Sequence, residues 1–433
     1  MKNEALQRAR GVRDFGPMEK ISRDKIISSL KGVFEIFGYN PIETPMIERY
    51  ELFASKFGIG QESDAMRETF KFQDQGMRDL VLRTEFTVPF ARFVGMNPQL
   101  KLPFKRYQIG KVFRDGPIKL GRYREFYQCD VDVVGVAGAN VDAELINLMN
   151  TAFRKLNLEV EIKINNRKIL NAVLEYAGVP EDKQISTIIS IDKLDKIGEE
   201  GVKAELAEKG LGAEIAEKAL GALSIEGDNV TILEKLTQII GDMDGLQDVK
   251  KAIELSEAGN LVFTPSLARG LAYYTGNVFE VFLKDTSKLS SSICAGGRFD
   301  DMVGGFIGTD EVFPAVGVSF GLDTIFDAIK LEGDEASQKQ SVVDVYVVPV
   351  GEAFYAEANK AVKQLRKQDI PSDLDFLNRK IGKNFEYANS YGVSWVVVIG
   401  EEEVKQGKLT LKNMTSGNQE LLSIEEIIQK IKA

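Results

Sequence analysis

"FKRYQIGKVFR" at residues 104–114 and "FYQCDVDVVG" at 126–135, separated by a stretch opening "DGPIKLG" at 115–121, decide the fold. Both runs alternate apolar and polar residues as half-buried strands do, and the Gly- and Pro-containing joint turns the chain back. Together they predict an antiparallel hairpin with an enlarged tip. Strand alternation sets Gln128, Asp130 and Asp132 on one face and Cys129, Val131 and Val133 on the other. Arg114 ends the first strand, and Arg122 and Arg124 follow the loop. One sheet face therefore gathers carboxylate and amide groups beside two or three guanidiniums. Two readings of that face stand. One is a solvated surface laced with cross-strand ion pairs. The other is a site for a zwitterionic or cationic ligand beside a polyphosphate, whose oxygens suit the arginine fork.

Outward from the hairpin, Ile26, Ile27, Leu30, Val33, Phe34 and Phe37 recur at helical spacing over 20–37, and Gly38 ends the helix. "NPIETPMIE" (40–48) is extended, because Pro41 and Pro45 cannot sit in a helix interior. A helix near 142–157 and the strand "VEIKIN" follow. From about 172 to 255 the chain turns rich in Ala, Glu, Lys and Leu and predicts several short helices inserted between parts of one sheet. Strand signals return at 261–263 and 273–283, and a strand passes into a helix through Gly321 near 313–329. "AGGRFDDMVGGFIG" (295–308) lacks a strand–GxGxxG–helix context and reads as loop. The polar stretch 331–340 is a linker. Beyond it, "VVDVYVVPV", 353–368, "SDLDF", 380–391 and "SWVVVIG" alternate strand and helix, predicting a small parallel α/β domain over 341–433.

A chain of 433 residues suggests two or three domains. With 55 basic and 65 acidic residues its net charge is −10, which does not coat it for nonspecific nucleic-acid binding. The N-terminus lacks an apolar signal core, and no apolar run approaches the ~18–20 residues that span a bilayer. Two cysteines, outside any CxxC, fit a reducing compartment. The expectation is a cytoplasmic protein with no membrane association. No GxxxxGK[ST] occurs, so a P-loop ATP site is excluded. Histidine is absent altogether, where ~2% usage would supply about nine. That removes histidine-based triads and leaves only Cys and carboxylates as zinc ligands, so no metal site is assigned to protein side chains. Acid–base steps fall to carboxylates, Tyr, Lys or the substrate itself.

Several ordered motifs carry a resemblance that runs nearly end to end. "GVRDFGP" (11–17), "LVLRTEFTVPFARF" (80–93), the hairpin, "INNRKIL" (164–170), "LARGLAYYTG" (267–276) and "AGGRFDD…PAVGVSFGLD" are similar to those of histidyl-tRNA synthetases, class II aminoacyl-tRNA synthetases. The resemblance implies an α+β protein with an antiparallel-sheet class II catalytic core at 1–330. A helical insertion lies within the core at about 172–255, and an anticodon-binding α/β domain follows at 341–433. It implies a homodimer that uses "IETPMIE" at its interface, ATP with Mg²⁺, histidine and tRNA(His). Residue by residue, Glu85, Thr87 and Gln128 would hold the α-amino group of histidine, Asp132 and Tyr274 the imidazole, and Tyr273 would line the pocket. Arg114 and Arg269 would grip the histidine carboxylate and the ATP α-phosphate and act in catalysis. Arg122 would meet the γ-phosphate, and Phe126 would stack on adenine. Three positions depart from the pattern. Ala272 replaces an Asp, Gly116 stands where an acid is expected with Asp115 next door, and Thr324 replaces an arginine that meets the triphosphate. A synthetase-like regulatory subunit, or a sensor of histidine or uncharged tRNA with weak or no ligase chemistry, is the alternative.

Overall fold

The computed structural model describes residues 6–56, 68–119, 121–268, 273–332 and 340–432. The chain groups into two units, residues 1–13 with 26–333 and residues 14–25 with 334–433. The first carries β1 (Asn40–Pro41), β2 (Ile47–Arg49), β3 (Lys71–Gln73), β4 (Asp79–Leu82), β5 (Phe104–Phe113) and β6 (Glu125–Val134). It continues with β7 (Val160–Asn166), β8 (Leu261–Phe263), β9 (Asn277–Leu283), β10 (Cys294–Arg298) and β11 (Ala315–Gly321). Eight of these form one sheet in the order β1-β5-β6-β11-β10-β9-β7-β8. Its pairings are antiparallel except at the edges, where β1 runs parallel to β5 and β8 to β7. A small sheet, β2-β4-β3, lies beside it in sequence.

The predicted hairpin is the β5–β6 pair, with Arg106 opposite Asp132 and Gln108 opposite Asp130. Cys129, Val131 and Val133 are buried. The same side of the sheet holds an aromatic cluster: Phe320 meets Phe34 at 5.5 Å and Phe153 at 5.4 Å, from helices Pro17–Ile36 and Ala139–Lys155. Each such ring contributes about 1.5–3 kcal/mol by burial. A one-residue slip of β6 would turn Asp130 and Asp132 into that cluster, so the register is held. The opposite face is left for polar work.

Six helices, from Arg167–Ala177 to Asp244–Leu255, intervene between β7 and β8, beginning five residues before the predicted start of the insertion. Two local expectations are corrected. β9 begins at Asn277 rather than at 273: Thr275 donates its N–H to the Arg298 carbonyl at 2.8 Å, so Tyr273 and Tyr274 sit in a turn before the strand. Gly296 and Gly297 are not loop punctuation but lie inside β10. A Cβ at Gly296 would come within 2.0 Å of the Gly317 carbonyl oxygen, and one at Gly297 within 2.8 Å of the Asn277 carbonyl oxygen. Backbone proximity, not a turn, requires glycine there.

The second unit holds β12 (Val345–Pro349), β13 (Ser372–Leu374), β14 (Trp395–Ile399), β15 (Leu409–Asn413) and β16 (Gln419–Leu422), ordered β13-β12-β14-β15-β16. The first three strands are parallel as predicted, but β15 and β16 add an antiparallel hairpin. β15 is half-buried, with Leu411 in the core, whereas the edge strand β16 is mostly exposed, and neither carries the apolar run that marked the others. Val345, Val347, Leu365, Val397, Ile399 and Ile427 fill the core between sheet and helices. Among the described residues no helix is long and apolar enough to cross a membrane.

Candidate active site

The open face of β6 borders a cavity of about 930 Å³. Gln128, Asp130 and Asp132 line it, and so do Glu85, Thr87, Arg114, Arg122, Phe126, Tyr273 and Tyr274. Every predicted site residue within the described part of the chain therefore meets in one place. Arg269, and the departure at Ala272, lie outside the described residues.

The carboxylate side is built by the sheet register. Asp132 lies between Arg106 on β5 and Gly317 on β11. Arg106 is fully buried and its Nη2 stands 2.5 Å from Asp132 Oδ2. A side chain at 317 would strike Asp132 Oδ1 at 1.9 Å, so glycine is what admits the carboxylate. Asp130 Oδ1 accepts a hydrogen bond from Ser319 at 2.5 Å. Burial pushes the pKa of both aspartates up; Arg106 opposes this, and the neighbouring Glu85 adds to it. Glu85 Oε1 accepts from the Val88 N–H at 3.1 Å, at the start of helix Thr87–Gly95, which fixes it at the wall. Asp130 and Asp132 thus face the deeply buried Arg106 while Glu85 adjoins Arg114, and a wall so rich in acceptors suits an ammonium or a ring N–H.

Across the cavity the chemistry reverses. Arg114 Nε donates to the Thr84 carbonyl at 3.1 Å, and its guanidinium lies 5.1 Å from the Phe126 ring centre. Burial lowers its pKa while Glu85 opposes the shift. Arg122 is exposed on the hairpin tip, where its backbone bridges to Lys119. The tyrosine rings stand 4.5 Å apart at 51°, and Tyr274 packs where a side chain on Gly297 would be. Burial raises the Tyr273 hydroxyl, with Tyr274 and then Glu85 adding to it.

Two departures acquire a physical setting. Thr324 Oγ1 donates to the Gly321 carbonyl at 2.8 Å in the first turn of helix Leu322–Leu331, and its methyl faces Gly121. Asp115, the expected substitute for an acid at 116, is instead paired with Arg124 at 3.0 Å. Glu68 occupies the space beside Gly116 and lines the cavity. Sequence reasoning missed Glu68, Arg106 and the glycines of β10 and β11. Arg106 shares the alternating face of Gln108, so its polarity was a signal once the register across the tip is known.

Comparisons with known proteins agree with this geometry. Residues 11–325 match the family described as histidyl-tRNA synthetase, and residues 344–433 match the anticodon binding domain family. Histidine–tRNA ligase 1 of Bacillus anthracis is 41% identical over 96% of this chain and 97% of its own length. Histidine–tRNA ligase of Clostridium tetani is 35% identical over 98% and 97%. The crystal structure of histidyl-tRNA synthetase from Nostoc sp. PCC 7120 superposes with a TM-score of 0.86 at 30% identity, covering 99% of both chains. With motifs, sheet order and full-length relatives in accord, the chain belongs to the histidyl-tRNA synthetase family.

Proposed function

We propose that this chain is a histidine–tRNA ligase, activating histidine with MgATP to histidyl-adenylate and transferring it to tRNA(His). The observation that carries this reading is the division of one cavity into a carboxylate side, suited to the ammonium and imidazole of histidine, and a guanidinium side, suited to phosphates. Glu85, Thr87 and Gln128 are assigned the α-ammonium, Asp132 and Tyr274 the imidazole, and Tyr273 the pocket wall. Arg114 and Arg269 are assigned the histidine carboxylate and the α-phosphate, Arg122 the γ-phosphate, and Phe126 the adenine face.

The histidine carboxylate attacks the α-phosphorus and pyrophosphate leaves, so charge builds on oxygens that preorganised guanidiniums stabilise. Holding carboxylate and phosphorus together supplies the proximity effect. The attacking carboxylate is already ionised near neutral pH, so no protein base is needed. In the second step a tRNA ribose hydroxyl attacks the adenylate carbonyl, an adenylate phosphate oxygen accepts its proton, and the carbonyl–phosphate bond breaks to release AMP. A chain with no histidine is compatible with both steps. Magnesium enters as the counter-ion of the triphosphate.

We assign catalysis to 1–330, with the helical insertion at about 172–255, and anticodon binding to 341–433, joined by 331–340. A cytoplasmic homodimer is part of the proposal. Met46 and Ile47, half-exposed in the "IETPMIE" segment, support an interface there, and a monomeric mass at micromolar concentration would remove it. The deciding experiment is histidine-dependent ATP–pyrophosphate exchange. Exchange in the unmodified protein supports a ligase. Its absence, with restoration by Thr324→Arg, supports the sensor reading instead.

A further inference from the structure

Position 116 lies in the loop that carries Arg114 and Arg122, and it has no side chain. Its φ is one any residue adopts, so glycine is not demanded by the backbone. What fills the space is Glu68. A Cβ at 116 would stand 2.7 Å from the Glu68 carboxyl carbon and 2.8 and 2.9 Å from its two oxygens. Backbone holds the arrangement: Asp115 donates its N–H to the Glu68 carbonyl at 2.7 Å. The nearer acid in sequence, Asp115, is occupied by Arg124. Glu68 opens onto the same cavity as Arg114, Arg122 and Phe126.

An ionised carboxylate only accepts hydrogen bonds. Arg114 lies near enough to feel its charge, but the carboxylate would repel a triphosphate, so the parts of the nucleotide it can meet are those that carry a donor. ATP offers the exocyclic amino group of adenine and two ribose hydroxyls. Phe126 supplies a flat apolar ring beside Arg114, where a base can stack. A carboxylate at the edge of such a stacked base faces the amino group, and it would face a repelling carbonyl oxygen in a 6-oxopurine. Resting on the ATP reading of the cavity, we propose that Glu68 reads the adenine amino group and supplies, from a separate segment, the acid that position 116 lacks.

The test is pyrophosphate exchange by the full chain with ATP, with 2′-deoxy-ATP, and with purine riboside triphosphate, which lacks the amino group. Glu68→Ala should lower kcat/KM for ATP and for 2′-deoxy-ATP about 10- to 100-fold, the worth of a hydrogen bond to a charged acceptor. It should leave purine riboside triphosphate unchanged. Gly116→Glu alone should impair ATP use, since two carboxylates would compete for one space. In the Glu68→Ala background the same change should restore the ATP preference. Glu68→Gln, which keeps the side-chain shape, should fall between the parent and Glu68→Ala. Equal loss for all three triphosphates, no loss for any, or a loss spared in 2′-deoxy-ATP overturns the proposal while the ATP reading stands. No exchange in the unmodified protein removes the ATP reading, and the proposal with it.

Discussion

Replacing Asp132 with asparagine sets recognition against stability in one measurement. Asp132 is 3% exposed and its carboxylate faces Arg106, which is wholly buried, at 2.5 Å. Asparagine keeps the volume and removes the charge, leaving the guanidinium without its contact partner. Breaking one side of a buried pair costs about 3–5 kcal/mol, and the nearby Asp130 argues for the lower end. For a domain of this size that is roughly a 5–10 °C fall in Tm. Recognition suffers separately, because the amide can turn an N–H toward a ring N–H that needs an acceptor. The expected rise in KM for histidine is about 10- to 100-fold, with ATP little affected. Adding Arg106→Met removes the stranded cation, so stability should recover to within about 1 kcal/mol while histidine KM stays high. Thermal unfolding and exchange kinetics on parent, single and double variants decide the matter. Equal losses for histidine and ATP would take Asp132 out of the ligand's reach. Recovery of histidine KM in the double variant would show that the fold, not recognition, was damaged.

Three other outcomes are expected. Asp130 has its folded pKa raised to about 7 by burial, so its contribution to stability is intact below about pH 4 and is lost as pH rises through 7. Asp130→Asn should therefore gain on the parent between pH 5 and pH 8, on the order of 2 kcal/mol by chemical denaturation, and a constant difference across that range would refute the assignment. Thr324→Arg introduces a guanidinium beside Gly121, and a guanidinium on phosphate is worth roughly 2–4 kcal/mol. With Arg114 and Arg122 in place, the exchange rate should change by less than about tenfold, and a larger gain would mean that activation is crippled without it. In the second unit, Arg366 donates to the Ser372 carbonyl and Arg379 is paired with Asp375, whereas Lys363 on helix Tyr355–Arg366 and Lys367 at its C-terminal cap are exposed. Neutralising those two lysines should weaken tRNA binding and lower its salt slope by about two, leaving histidine activation intact; an unchanged slope would exclude them from phosphate contact.

The parts legible from sequence were those in which one strand or helix face is buried. Alternation in β6 placed Asp132 and Gln128 on the open side without any knowledge of partners. Arg106 was not assigned, because its role depends on a register carried across an eleven-residue tip whose length alternation does not set. Gly317 and Gly296 needed the neighbours of β10 and β11, which come from far along the chain. β15 and β16 escaped because β15 offers only Leu409 and Leu411 in alternation and β16 is an exposed edge strand with no apolar period. Glu68 sits in a stretch with no period of its own, and only the fold brings it beside Gly116.

The floor of the cavity beside the two tyrosines is cut from backbone. Gly296 and Gly317 line the cavity, and Gly297 lies under Tyr274. A Cβ at any of the three would strike neighbouring backbone or the Asp132 carboxylate, so the floor can be neither deepened nor raised by substitution. Change in the shape of this part of the cavity is therefore confined to its side-chain wall, where the two tyrosines can be trimmed or exchanged without touching the sheet. A variant library aimed at bulkier histidine analogues belongs at Tyr273 and Tyr274, and the three glycines are best left fixed.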